Sequence, residues 1–228
     1  MIKGFSILFI LSLYLPPAVG LTLASEPSKE NRILAVVEKM EAAFKEVKDY
    51  TCEVEQIFYK DGAEDQRYRF KFHFKREKKI RVDFSSPYPG LTLLFEGNNK
   101  EVTLIPFRLF SLLKLHYSLE DPRVRTPAGQ RIDQTDMGYF IDFLFRNLRN
   151  VQQGEDEYQE EGEKIRFLLW ALDYIGEKTP EKYRITLSKR NWLPVRIERY
   201  TLDGKPLEVS IIQDYTINTP LEDNLFVP

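Results

Sequence analysis

"RYRFKFHFKRE", residues 67–77, alternates almost without error. Tyr68, Phe70, Phe72 and Phe74 hold one parity; Arg67, Arg69, Lys71, His73 and Lys75 hold the other. Successive side chains of a strand point to opposite faces, so the segment reads as a β-strand with an aromatic wall and a cationic back. What lies against that wall is either the protein's own core or a guest.

The flanking segments continue the wall. Val54 and Phe58 share the inward parity of a strand over Tyr50–Tyr59, and Ile80, Val82 and Phe84 that of a strand over Ile80–Phe84. Further strand signals cover Leu91–Phe95 and Glu101–Ile105, with turns at Asp61-Gly62, Pro87/Pro89-Gly90 and Gly97-Asn98-Asn99. Tight turns between short strands imply an antiparallel meander, because parallel neighbours need long crossovers. Before it, Ile33, Val36, Val37, Met40, Phe44 and Val47 recur at helical spacing between Ser28, a plausible N-cap, and Lys48. After it, "PFRLFSLLKLHYS" (106–118) mixes both periods, "EDPRVRTPAG" is a Pro-rich loop, and "TDMGYFIDFLFRNLRN" (135–150) carries a wide apolar helical face that includes Phe140 and Leu144. An acidic loop follows, and strands resume at Lys164–Tyr174, Lys182–Lys189, Pro194–Asp203 and Pro206–Thr216. The order helix, strands, helical insert, strands predicts one α+β domain dominated by a curved antiparallel sheet.

At the N-terminus, Lys3 precedes an apolar run from Phe5 to Leu15, then Pro16-Pro17 and small residues. That is the layout of a secretory signal, and the run is too short to span a bilayer. Cleavage is expected after Ala24, with Gly20 the alternative, leaving 25–228 as a single exported domain. The lone cysteine, Cys52, excludes an internal disulfide and shares a strand face with Tyr50, Val54 and Phe58, as a small core residue would.

Net charge is −2 and strongly mixed, which argues against a nucleic-acid partner. The two histidines, His73 and His116, belong to no cluster with metal spacing, and no phosphate loop or nucleophile motif occurs. The expectation is therefore no catalytic residues, no metal and no cofactor. The unusual number is 13% aromatic residues, sixteen of them Phe. Burying the four aromatics of residues 68–74, at ~150–250 Å² each, is worth about 15–25 kcal/mol before chain entropy, which a core alone could use. Arg76 continues the inward parity, where a cation has no place in a simple core. It either sits wet at a mouth or engages carbonyls or a carboxylate on the covering helix. The cations on the other parity read as a solvated strand back or as a contact for anionic headgroups or an acidic partner.

Several stretches resemble one family. "YTCEVEQ" (50–56), "FKFHFKREKKIRVDFSSP" (70–87), "FEGNNKEVTLIP" (95–106) and the closing "DYTINTPLEDNLFVP" are similar, in order and spacing, to motifs of the outer-membrane lipoprotein carriers, the LolA-like group. The likeness covers 28–106 and 182–228; about 107–163 matches poorly. It implies a half-open curved antiparallel β-barrel with helices covering the open side, as in LolA and LolB, and an apolar interior that holds acyl chains. It further implies that the arginine at position 76 helps hold a lid shut and that Ile80 faces the cavity. Glu77 departs from the family's proline, and Ile80 stands where an aromatic is common.

The combined expectation is a periplasmic carrier of lipoprotein acyl chains or lipids, working between an inner-membrane donor complex and an outer-membrane acceptor. The alternative is a sensor or regulatory domain of the same fold. Cavity lining is expected from Val54, Phe58, Tyr68, Phe70, Phe72, Phe74, Ile80, Val82, Phe84, Phe140 and Leu144, with Arg76 as latch and the helix at 135–150 as lid.

Overall fold

The structure, a computed structural model, describes residues 29–97, 99–106, 113–148, 158–171 and 179–228. The leader at 1–24, the Ser28 cap, 107–112, the first half of the acidic loop (152–157) and the 172–174 end of one expected strand lie outside the described residues. Helix α1 (Lys29–Lys45) is followed by β1 (Asp49–Lys60), β2 (Ala63–Lys75), β3 (Lys79–Ser86), β4 (Thr92–Phe95), β5 (Glu101–Ile105) and β6 (Leu115–Ser118). Two 3-10 turns, Pro122–Val124 and Ile132–Gln134, lead to α2 (Met137–Asn147). Then come β7 (Gln159–Glu161), β8 (Lys164–Ala171), β9 (Glu181–Ser188), β10 (Pro194–Tyr200) and β11 (Pro206–Ile217).

Among the described residues the strands form one 11-stranded antiparallel sheet, ordered β6-β5-β4-β3-β2-β1-β11-β10-β9-β8-β7. It is two meanders joined where β1 pairs with β11, Val54 opposite Ile212. The free edges, β6 and β7, are therefore at opposite ends, and the described residues 119–148 that follow β6 lie against the inward face. The sheet is open and curved, with helices against its inward face, the architecture expected from the sequence. The Asp61-Gly62 turn takes positive φ at both residues (53° and 83°), as a tight hairpin requires. In the β2–β3 turn, Glu77 has φ 69°. Proline cannot adopt that angle, so a proline at 77 would require a different turn.

Both helices fill one end of the concave face. Ile33, Val37 and Met40 of α1 and Phe143 and Leu144 of α2 are fully buried. Phe44 lies 5.9 Å from Phe74 between ring centres, and Phe143 lies 4.9 Å from Tyr183. Helix α2 starts two residues inside the expected boundary of 135 because Asp136 caps it, its Oδ1 accepting from the Gly138 and Tyr139 N–H groups at 2.8 and 3.1 Å. A Cβ on Gly138 would stand 3.1 Å from the Phe44 ring, so glycine permits the close contact of the two helices.

The convex face is only partly the solvated back that the sequence suggested. Arg67 and Arg69 pair with Glu55, and Lys75 and Lys79 with Asp223. Residues 223–226 lie over β3, where Phe226 is buried and Arg81 Nη1 donates to the Leu225 carbonyl at 2.9 Å. Beside this tail His73 is buried and lies 3.2 Å from Asp83, which also accepts from Arg81 and Thr92 at 2.7 Å each. Burial alone would raise the Asp83 pKa, but the hydrogen bonds from His73, Arg81 and Thr92 outweigh it and hold the carboxyl far below the usual range.

An acid that titrates lower when folded stabilises the fold above its unfolded pKa, about 3.9, and that contribution disappears as pH falls through the lowered value. The expected result is that Asp83→Asn melts at lower temperature than the parent at neutral pH, and that the gap narrows steadily below about pH 4. Thermal unfolding followed across that range checks this; a gap independent of pH contradicts it.

Candidate functional site

Beyond the helices the concave face is not filled. A cavity of about 340 Å³ lies between the strands and the segment 123–135. Its apolar wall is Tyr68, Phe70 and Phe72 of β2, Val82 and Phe84 of β3, Leu93 of β4 and Leu104 of β5. Its floor is β1 with Tyr50, Cys52, Val54 and Gln56, and its other wall β10 and β11 with Ile197, Arg199, Glu208, Ser210 and Ile212. The cover brings Arg123, Val124, Arg125, Thr126, Pro127, Gln130 and Ile132.

Strand β2 answers both readings of the aromatic wall. Phe74 is 3% exposed and closes under α1. Phe72 stands at the junction, while Phe70 and Tyr68 are half-buried and line the cavity. Of the expected lining residues, Val54, Tyr68, Phe70, Phe72, Val82 and Phe84 do line it. Phe58, Phe74, Ile80, Phe140 and Leu144 do not. Phe74, Ile80, Phe140 and Leu144 are buried together in the core on the helix side, and Phe58 packs edge-on against Tyr68 beyond the cavity.

The expected lid is corrected in the same way. The cavity is covered by the Pro-rich segment with its two 3-10 turns, and of α2 only Met137 reaches it. That segment is held by Asp121, which caps the first turn through the Arg123 N–H, and by Arg131, bound to both Asp133 and Glu120.

Arg76 is exposed and takes neither of its two expected positions in pure form. Its Nε donates to the Val47 carbonyl at 2.6 Å, and its Nη2 to the carbonyls of Phe44 and Lys45 at 2.5 and 3.0 Å. Its guanidinium also lies 4.8 Å from the Phe44 ring centre. It thus satisfies the open carbonyls at the end of α1, with charge of the favourable sign, rather than contacting the helix at 137–147. Asn218 works beside it, accepting from the Lys48 N–H at 2.7 Å and donating to the Glu46 carbonyl at 3.0 Å. The Asn of the closing motif therefore has a physical reason: it ties the end of the last strand to the end of the first helix.

One group was missed by sequence reasoning. Arg199 is buried with two glutamates. Its Nε and Nη2 each donate to Glu181 at 3.0 Å, and its Nη1 donates to Glu208 at 2.6 Å. Tyr183 donates to Glu181 at 3.0 Å, and Gln56 and Ser210 donate to Glu208 at 2.7 and 3.2 Å. Burial pushes the Arg199 pKa down, but Tyr183 and the two glutamates outweigh it and hold it above the ordinary arginine value. The signal was present: Glu181, Arg199 and Glu208 each interrupt an inward apolar parity, and register places Arg199 opposite Glu208. No group of three or more His, Cys, Asp or Glu able to hold a metal occurs among the described residues. Cys52 lines the cavity as a thiol whose pKa is pushed up, chiefly by burial.

Removing the cation alone leaves two buried carboxylates facing each other. Arg199→Met is expected to cost about 3–5 kcal/mol. The triple replacement with Glu181→Leu and Glu208→Leu should recover a large part of that loss, measured by urea unfolding; a triple variant no better than the single would contradict this account. Arg76→Leu is expected to cost about 1–2 kcal/mol through lost carbonyl bonds. Faster amide exchange in that variant should be confined to the end of α1 and the turn after it.

No protein-family model matches the chain, and the curated proteins contain no match. Among solved structures it is similar to the Mycobacterium tuberculosis lipoprotein LppX, with 10% identity, 84% of this chain and 98% of that one covered, and a TM-score of 0.50. It is also similar to the LolA superfamily protein NE2245 from Nitrosomonas europaea, at 14% identity, 86% and 97% coverage and a TM-score of 0.40. A third likeness is to a chain of the Pseudomonas aeruginosa MucA/MucB complex, at 9% identity and a TM-score of 0.47, covering 84% of this chain and 59% of that one. At such identities these likenesses concern the fold alone. The chain shares the fold of LppX, an open, curved antiparallel sheet that carries helices on its concave side.

Proposed function

We propose that the protein is an exported periplasmic carrier that holds acyl chains of a lipoprotein or lipid in the concave cavity and passes them toward the outer membrane without catalysis. The observation that carries this reading is the cavity itself: about 340 Å³ walled by Tyr68, Phe70, Phe72, Val82 and Phe84, which the side chains of the described residues leave unfilled. An apolar pocket with a few convergent polar groups is the common form of a small-molecule site. The sequence layout of residues 1–24 supports export, and no helix among the described residues is long and apolar enough to cross a membrane.

The energetics suit a carrier. An acyl chain moved from water into the cavity gains about 0.8 kcal/mol per methylene, so a loaded chain does not escape into water. Exchange with a bilayer is near neutral, because lipid is as apolar as the cavity. Direction must then come from the donor and acceptor partners and from movement of the cover. The cover suits that role: it lies over the cavity through short 3-10 turns and surface ion pairs such as Arg131–Glu120, with Val124 and Ile132 as its buried anchors. The clamped end of α1 keeps the rest of the concave face closed while the cover moves.

Gentle purification of the exported form followed by organic extraction and mass spectrometry should recover stoichiometric lipid. The emptied protein should bind a fluorescent fatty acyl probe. Val54→Trp, which places a large ring between Phe70 and Ile212 on the cavity floor, should weaken probe binding at least about tenfold with the fold retained by circular dichroism. Repeated absence of lipid together with no probe uptake would overturn the reading.

A further inference from the structure

The cavity is small and its charges are not symmetric, and both facts bear on what it holds. An apolar cavity of about 150 Å³ takes one benzene ring. In proportion, about 340 Å³ takes roughly fourteen carbon atoms. That matches one hydrocarbon chain of medium to long length.

The charged groups in the lining are Arg123, Arg125, Arg199 and a single carboxylate, Glu208. They lie on two sides. On the strand side, Arg199 is bound by Glu181 and Glu208 together, so that patch carries more negative than positive charge and its carboxylates are already satisfied. On the cover, Arg123 is engaged by Asp121 through Nε and Nη2 at 2.9 and 2.6 Å and lies 4.2 Å from the Tyr117 ring centre. Arg125 is different. Its Nη2 donates to Glu120, but its Nε is shut away from solvent with no hydrogen-bond partner. The side chain as a whole keeps 28% of its surface open and borders the cavity, so an anion can meet the guanidinium at its accessible edge, where a charge-assisted bond is among the stronger ones.

We propose that the cavity's preferred occupant is an anionic amphiphile with one hydrocarbon chain, its acidic head at Arg125 on the cover and its tail along Phe70, Phe72 and Phe84. This rests on the carrier reading above and narrows its cargo. The buried Arg199 network orients the molecule: its surplus carboxylate repels an anionic head from the β10–β11 side and leaves the head to the cover. Loading and closure are then coupled, because the segment that closes the cavity is the segment that binds the head. A fatty acid and a lysophospholipid with an acidic head share this chemistry.

The test is calorimetric titration of the lipid-free exported protein with saturated fatty acids from octanoate to stearate, the matching alcohols, lysophosphatidylglycerol and two-chain phosphatidylglycerol. Affinity for the fatty acids should rise about fourfold per methylene and level off near fourteen carbons. The carboxylate should bind at least about tenfold more tightly than the alcohol of equal length, and Arg125→Gln should bring that ratio close to one while alcohol binding persists. Whichever of fatty acid and lysophosphatidylglycerol binds more tightly identifies the source of the shared chemistry. Equal affinity for acid and alcohol in the unaltered protein would overturn the head assignment, even if the variant fails to fold. Tightest binding by two-chain lipid would overturn the single-chain inference and leave the carrier reading standing. Binding of no lipid at all would end both.

Discussion

The pairing of β1 with β11 places the free edges β6 and β7 at opposite ends of the sheet, and everything on the concave side follows from that. The chain that leaves β6 crosses the inward face in residues 119–148. The crossing delivers α2 to one end, where it packs with α1 and completes a dry core. It delivers only a short, Pro-rich, polar segment to the other end. Concave surface that is covered by a helix becomes core; concave surface that is merely roofed becomes a cavity. Strand β2 runs through both regions, which is why one alternating stretch supports Phe74 in a sealed interior and Phe70 on an open wall.

Polar groups hold this division in place at three points. Arg76 and Asn218 satisfy the end of α1 from two different strand ends. Asp136 caps α2 and fixes where the crossing turns from loop to helix. The Glu181–Arg199–Glu208 network ties β9, β10 and β11 together in the cavity wall. Such a network is demanding, since each member is costly without the others. It is also what keeps that wall from being uniformly greasy.

Much of the sheet was legible because a half-buried strand writes its burial in period two. The Asp61-Gly62 turn and most central strands needed no tertiary information. The edges were harder. Gln159–Glu161 is exposed throughout and Leu115–Ser118 is alternately half-buried and exposed, so neither carries a strong burial pattern. The site was legible only to the level of parity. Inward parity identified Val54, Phe70 and Phe84 as lining, but it equally marked Phe74 and Ile80, and only the landing place of the helices separates the two sets. The Arg76 argument, that a cation at inward parity needs a partner, applies equally to Arg199, whose partners become visible once β9, β10 and β11 are known to be neighbours. The cover was missed because "EDPRVRTPAG" has no periodicity; its role comes from where the crossing passes.

The central claim is that hydrocarbon enters the space beside Phe70 and beneath Val124. A crystal structure of the protein loaded with a fatty acid brominated at mid-chain tests it most directly. The account predicts an anomalous bromine peak within the cavity, flanked by Phe70, Phe84 and Leu104, with the cover closed over it. A peak only on the outer surface, or a cavity filled by rearranged side chains with no bromine inside, would contradict it.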